Sequence, residues 1–206
     1  MHAVGLINYG SGNFTSVRNA LRHIGVDPLE IDSPEAMGQA DRLILPGVGS
    51  FPAAMERMET LGLIDSLRDQ VLGRGRPFLG ICVGMQILAE LGHEFRTCSG
   101  LGLVPGQVRR FDVEHLGLPV PHMGWNELRL HRPSPLFERL DPNPSFYFVH
   151  SFRFEPTDPE SVLASCEYGE TFCACVQRDQ VYGVQFHPEK SQRDGLALLA
   201  NFCRLN

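Results

Sequence analysis

Apolar residues in the first half of the chain fall into two alternating patterns. Short, almost unbroken apolar runs at 3–7, 42–45 and 77–81 have the length of strands buried on both faces. Each leads into a stretch with apolar residues every three or four positions, at 14–24, 51–72 and 83–91. The alternation predicts βα units and a parallel sheet covered by helices.

The second half reads differently. Strand-like segments at 104–111, 126–130, 146–154, 162–166, 174–177 and 181–186 predict antiparallel or mixed strands extending the same sheet. A final stretch, 195–205, places Leu196, Leu199, Ala200 and Cys203 at helical spacing, which predicts a helix packed back on the sheet. Residues 131–144 carry Pro133, Pro135, Pro142 and Pro144, each fixing φ and removing a backbone donor, so this segment is expected as a surface excursion. The expected architecture is a single α/β domain over 1–206, with a central, mostly parallel mixed sheet flanked by helices.

Composition narrows the function classes. At 206 residues, one domain is expected from the usual size of roughly 100–200 residues. Hydrophobic residues at 43% and charged residues at 20% exclude a disordered or fibrous chain. A net charge of -6 with scattered Lys and Arg gives no basic footprint for nucleic acid. No apolar stretch approaches about 18 residues and the start has no basic leader, so no membrane association and a cytoplasmic location are expected. Six cysteines without C-x-x-C pairs, and histidines without ligand spacing, predict neither a disulfide frame nor a metal site, and no cofactor.

Candidate chemistry starts at Gly80-Ile81-Cys82-Val83-Gly84, a strand turning abruptly into a helix with a glycine two residues either side of a cysteine. That is the nucleophile-elbow pattern with Cys in place of Ser. The strained turn pushes the side chain outward, the helix N-terminus favours thiolate, and the Val83 N–H points toward a developing oxyanion. Size alone would also select a cysteine between glycines at such a junction.

The run ending Phe186-His187-Pro188-Glu189 is an extended strand reaching a proline. Two residues apart on extended backbone, His187 and Glu189 can face one side, as a base and its orienting carboxylate require. A histidine at a strand end is also a common core or capping residue. At Pro46-Gly47-Val48-Gly49 an apolar strand enters a glycine turn, making Val48 and Gly49 candidate oxyanion donors.

Taken together, these motifs resemble the triad-type glutamine amidotransferases, and within them the glutaminase subunits of imidazole glycerol phosphate synthases. The resemblance runs along essentially the whole chain. It rests also on Asn8-Tyr9-Gly10-Ser11-Gly12-Asn13, Pro121-His122-Met123-Gly124-Trp125-Asn126 and Tyr147-Phe148-Val149-His150-Ser151. It implies that Cys82 attacks the side-chain amide of L-glutamine, that His187 shuttles the proton, and that Gln86, His150 and Ser151 hold the head group. It further implies a heterodimer with a (β/α)₈ cyclase that uses the ammonia in histidine biosynthesis, with Asn13, Trp125, Tyr147 and Lys190 at that interface. Ser11 and Phe152 depart from the family pattern, which often has proline and tyrosine there. Three other readings stay open: a glutaminase serving another acceptor synthase, a γ-glutamyl hydrolase acting alone, and a regulatory subunit without turnover.

Overall fold

The structure, a computed structural model, describes residues 2–205. The first half contains β1 (Val4–Ile7), α1 (Phe14–His23), β2 (Leu29–Ile31), α2 (Pro34–Met37), β3 (Arg42–Leu45), α3 (Phe51–Thr60), α4 (Leu63–Arg68), β4 (Phe78–Ile81) and α5 (Val83–Gln86). The second half contains β5 (Leu91–Gly92), β6 (Cys98–Ser99), β7 (Gly106–Arg110), β8 (His122–Glu127), β9 (Arg129–Leu130), β10 (Ser145–His150) and β11 (Phe152–Pro156). It closes with β12 (Val162–Glu167), β13 (Thr171–Arg178), β14 (Val181–Val184) and α6 (Gln192–Phe202).

The main sheet has the order β2-β1-β3-β4-β14-β13-β12-β9. Its β2-to-β14 half is parallel, and the remaining strands continue it antiparallel. Every residue of β1, β3, β4 and β14 is buried, as expected of strands covered on both faces. The charged member, Arg42, donates from Nη1 to the Phe202 carbonyl at 3.0 Å and so caps the end of α6. Each fully buried Leu, Ile, Val or Phe in this layer contributes about 1.5–3 kcal/mol.

Several sequence-based expectations need correction. The second-half strands do not all extend the main sheet. β8 and β10 form a separate antiparallel ribbon, and β11-β7-β5-β6 a separate four-stranded sheet. The expected strand 146–154 splits at Ser151 between these two sheets, because the chain turns there at the mouth of the cavity described below.

The expected helix 51–72 is also divided. Gly62, at φ 66°, starts α4 in a new direction, and Asp69–Gly73 widens into a π turn. The expected helix 83–91 is a single turn: the carbonyls of Ile87, Leu88 and Ala89 are taken by the N–H groups of Leu101, Leu103 and Gly102 instead. Its apolar spacing comes from the burial of every residue from 83 to 89 rather than from a helix face. With only four residues in α5, few peptide dipoles add up behind Cys82, so the expected dipole contribution is small.

The stripe on α6 is shifted as well. Gly195, Leu198, Leu199 and Phe202 face inward, while Leu196, Ala200 and Cys203 are only half-buried. Gly195 sets this phase: a Cβ there would lie 2.0 Å from the Pro188 carbonyl oxygen, so α6 packs directly on the turn carrying His187 and Glu189. The proline-rich segment 131–144 is not wholly a surface excursion, because Leu136 and Phe137 are buried and the Leu136 carbonyl accepts from Asn201 of α6. All six cysteines are free thiols.

Candidate active site

The elbow is set by close packing. Cys82 has φ 55° and ψ -110°, a backbone state that costs a non-glycine residue about 1–3 kcal/mol. A Cβ on Gly80 would lie 2.4 Å from the Gly84 carbonyl oxygen, and one on Gly84 would lie 2.1 Å from the Leu45 carbonyl oxygen. A Cβ on Gly47 would lie 2.5 Å from the Gly84 nitrogen. Three glycines thus let β3, β4, the Pro46-to-Gly49 turn and α5 meet without side chains between them, and the cysteine is held at their junction.

His187 follows β14 and is fully buried. Its main-chain N–H donates to the Tyr147 carbonyl at 2.9 Å, and its carbonyl accepts from Ser191 Oγ at 2.6 Å. His187 Nδ1 donates to Glu189 Oε1 at 2.8 Å, which fixes the ring orientation and leaves Nε2 toward the sulfur. Burial alone would lower the imidazole pKa. The facing Cys82 sulfur and the Glu189 carboxylate outweigh it and hold the pKa up at about 10.

The His187 proton is therefore held more tightly in the fold than in the unfolded chain. Its contribution to stability is full below about pH 6.5 and is lost as pH rises toward 10. NMR titration of the His187 ring is expected to show this high midpoint, and Cys82→Ala or Glu189→Gln to lower it, because each removes a group that raises it. A wild-type midpoint near 6.5 would contradict the assignment.

The carboxylate has a partner that the sequence reading placed elsewhere. Asn13 Nδ2 donates to Glu189 Oε1 at 3.1 Å, and Asn13 Oδ1 accepts from Ser11 Oγ at 2.6 Å. Asn13 was expected at a partner surface but is only 4% exposed, its amide turned inward to the carboxylate. The departure at Ser11 thus supplies a hydroxyl that orients the Asn13 amide toward Glu189.

A cavity of about 290 Å³ opens over the sulfur. Its lining includes Cys82, His187, Val48, Gly49, Val83, Gln86, His150 and Ser151, so catalytic, oxyanion and substrate candidates from distant parts of the chain share one wall. Gln86 Nε2 donates to the Phe152 carbonyl at 3.0 Å and to Gln185 Oε1 at 3.1 Å. His150 is committed: Nδ1 donates to the Phe152 carbonyl at 2.8 Å, and Nε2 meets His122 Nδ1 at 3.1 Å. Burial lowers its pKa to about 3, so it is a neutral wall residue whose ring has no nitrogen left for a substrate. At the second departure, Phe152, the contact used is the main-chain carbonyl, which Phe supplies as well as Tyr.

Two lining or neighbouring residues escaped the sequence reading. Glu94 reaches the cavity from the loop after β5, and its Oε2 accepts from the Phe51 N–H at 2.7 Å. Burial raises its carboxyl pKa, and that N–H partly offsets the rise. Gln185 lies behind the sulfur; its place in the run before His187 was the only available signal. Trp125 and Lys190 are exposed and Tyr147 is half-buried between them. The Trp125 and Tyr147 rings are 6.3 Å apart, and Lys190 Nζ is 5.8 Å from the Tyr147 ring centre. Among the described residues, no group of three or more His, Cys, Asp or Glu could hold a metal ion, and no helix is long and apolar enough to cross a membrane.

Residues 5–205 match the family described as glutamine amidotransferase class-I. The imidazole glycerol phosphate synthase subunit HisH 1 of Campylobacter jejuni strain RM1221 is 47% identical over 98% of this chain and all of that protein. The corresponding HisH subunit of Syntrophotalea carbinolica is 46% identical over 96% of this chain and 97% of its own length. Among solved structures, one titled as a glutamine amidotransferase superimposes with a TM-score of 0.75 at 22% identity, covering 98% of this chain and 99% of that one. PurLQS from Thermotoga maritima gives 0.71 at 19% identity, covering 98% of both chains. At these identities the two structures speak for the fold alone.

Proposed function

From the premise that the chain belongs to the class-I glutamine amidotransferase family, we propose that it is the glutamine-hydrolysing subunit of an imidazole glycerol phosphate synthase. It supplies ammonia for histidine biosynthesis. The observation that carries the chemistry is the buried Cys82, His187 and Glu189 set, opening on a cavity of about 290 Å³. Cys82 Sγ attacks the side-chain carbonyl carbon of glutamine, and N–H groups of Val48, Gly49 and Val83 receive the oxyanion. The His187 imidazolium gives its proton to the leaving ammonia. It then takes one from the water that hydrolyses the thioester to glutamate.

The Glu94 carboxylate suits the substrate's α-ammonium group. Both Gln86 Nε2 protons face protein carbonyl oxygens, which leaves Gln86 Oε1 for the substrate. Asn13 and Ser11 position Glu189 rather than contact a partner.

The ammonia passes to a cyclase of (β/α)₈ fold in a heterodimer, where it forms imidazole glycerol phosphate and aminoimidazole carboxamide ribonucleotide. Trp125, Tyr147 and Lys190 form the docking surface, with exposed Met123 beside them. This surface is tied to the base, since Tyr147 bonds His187 through the main chain and Ser191 Oγ through its N–H. The test is glutaminase turnover of the full chain with and without the cyclase and its nucleotide. Turnover is expected to be low alone and to rise by about tenfold or more in the complex. Full activity of the isolated chain would favour a γ-glutamyl hydrolase instead.

A further inference from the structure

Gln185 follows β14 by one residue and precedes His187 by two, and its side chain is completely buried. Two contacts account for its amide. Oε1 accepts from Gln86 Nε2 at 3.1 Å, and Nε2 donates to Cys82 Sγ at 3.7 Å, within reach of the larger sulfur acceptor. The orientation follows from the network. Gln86 Nε2 also donates to the Phe152 carbonyl, which can only accept, so Gln86 turns its nitrogen that way and meets the oxygen of Gln185. The nitrogen of Gln185 is then left for the sulfur.

We propose that Gln185 is a catalytic residue whose amide N–H donates to Cys82 Sγ and stabilises negative charge on the sulfur, while its Oε1 fixes Gln86 in the cavity wall. This deepens the reading of Cys82 as nucleophile and rests on it. Sulfur carries charge twice in the cycle. It does so before attack, and again when water adds to the thioester and the C–S bond breaks with its electron pair going to sulfur. His187 changes protonation between those moments. Gln185 does not, so it is a permanent donor to a buried sulfur, where a charge-assisted hydrogen bond counts more than at the surface.

The test is alkylation of Cys82 by iodoacetamide in the full chain, followed by mass spectrometry of the Cys82 peptide, for wild type and Gln185→Met. Only thiolate reacts. At about pH 6.5 the rate is expected to fall about tenfold in the variant, equivalent to about 1.4 kcal/mol. At about pH 9.5 it is expected to stay within about twofold, because base in excess removes the advantage that a hydrogen-bond donor gives. Equal rates at both pH values, or an equal fall at both, would overturn the proposal, the latter by pointing to altered access.

If Gln185→Met does not fold by circular dichroism, the same assay on Gln185→Glu decides. Its carboxylate beside the sulfur is expected to slow alkylation at about pH 8, and a wild-type rate there would overturn the proposal. Wild-type Cys82 that resists alkylation would overturn the nucleophile assignment, and this one with it.

Discussion

Replacing Cys82 with alanine is expected to lower glutamine-dependent synthesis by the complex by about 10⁴-fold, while synthesis from added ammonia stays within about twofold of wild type. The asymmetry follows from where the side chain sits. It faces His187 and the cavity, and its removal takes away one sulfur atom, a loss of about 1 kcal/mol or less if the site relaxes. Ser151 also lines the cavity but cannot substitute, because the adjacent His150 has both ring nitrogens engaged and burial makes it too weak a base to take the hydroxyl proton. On the proposed mechanism, ammonia enters the synthesis after the step assigned to Cys82, so the proposed partner has no need of the thiol. The check is the complex assayed with glutamine and with ammonium salt in parallel. Loss of both activities would make Cys82 a structural residue.

Gly84→Ala is expected to be the most damaging single methyl addition at the site. Its Cβ would sit 2.1 Å from the Leu45 carbonyl oxygen. That atom belongs to β3, which is held in register between β1 and β4. Neither chain can yield cheaply, so a destabilisation of about 2–3 kcal/mol is expected, lowering the melting temperature by roughly 5–10 °C. Whatever shift relieves the clash moves Cys82 relative to His187 and to Val48, and a displacement near 1 Å costs about 100-fold in turnover. Gly25→Ala is the control. Gly25 has φ 81° but no neighbour within 4 Å of a Cβ, so it loses about 1 kcal/mol to backbone strain and leaves turnover unchanged. Thermal melts and glutaminase rates of the two variants separate packing from strain. Wild-type turnover in Gly84→Ala would show that the elbow tolerates a side chain at that junction.

What could be read before the structure was local. Gly80, Cys82 and Gly84 lie within five residues, and His187 and Glu189 within three, so close spacing was legible without knowledge of the fold, although Glu189 meets His187 through a 3-10 turn at Pro188–Lys190 and not along the extended backbone expected. Strands β1, β3 and β4 were legible for a related reason: strands covered on both faces have to be continuously apolar, whereas β2, with two of its three residues exposed, was not read as a strand. Contacts between distant segments were not legible. Asn13 reaches Glu189 across 176 residues, and nothing in its glycine-rich surroundings distinguishes an inward amide from an interface one. Glu94 looks like any loop carboxylate until the cavity is formed.

The strands of the second half show the same limit. Alternation reports which face of a strand is apolar but not which sheet it joins, and 146–154 read as one strand where β10 and β11 part at Ser151. Burial of all of 83–89 misled the reading of 83–91, where apolar spacing imitates a helix that ends after one turn. Close approach misled at α6, whose inward stripe is set by the contact of Gly195 with Pro188.

The central claim is that Cys82 is the nucleophile toward glutamine. It is tested most directly by treating the complex with a chloroketone analogue of glutamine and mapping the modified peptide by mass spectrometry. The account predicts one adduct, on the peptide containing Cys82, formed in step with loss of glutamine-dependent activity and prevented by excess glutamine. Half-buried Cys98 and Cys203 would stay unmodified. Inactivation with Cys82 unmodified, or an adduct elsewhere, would contradict it.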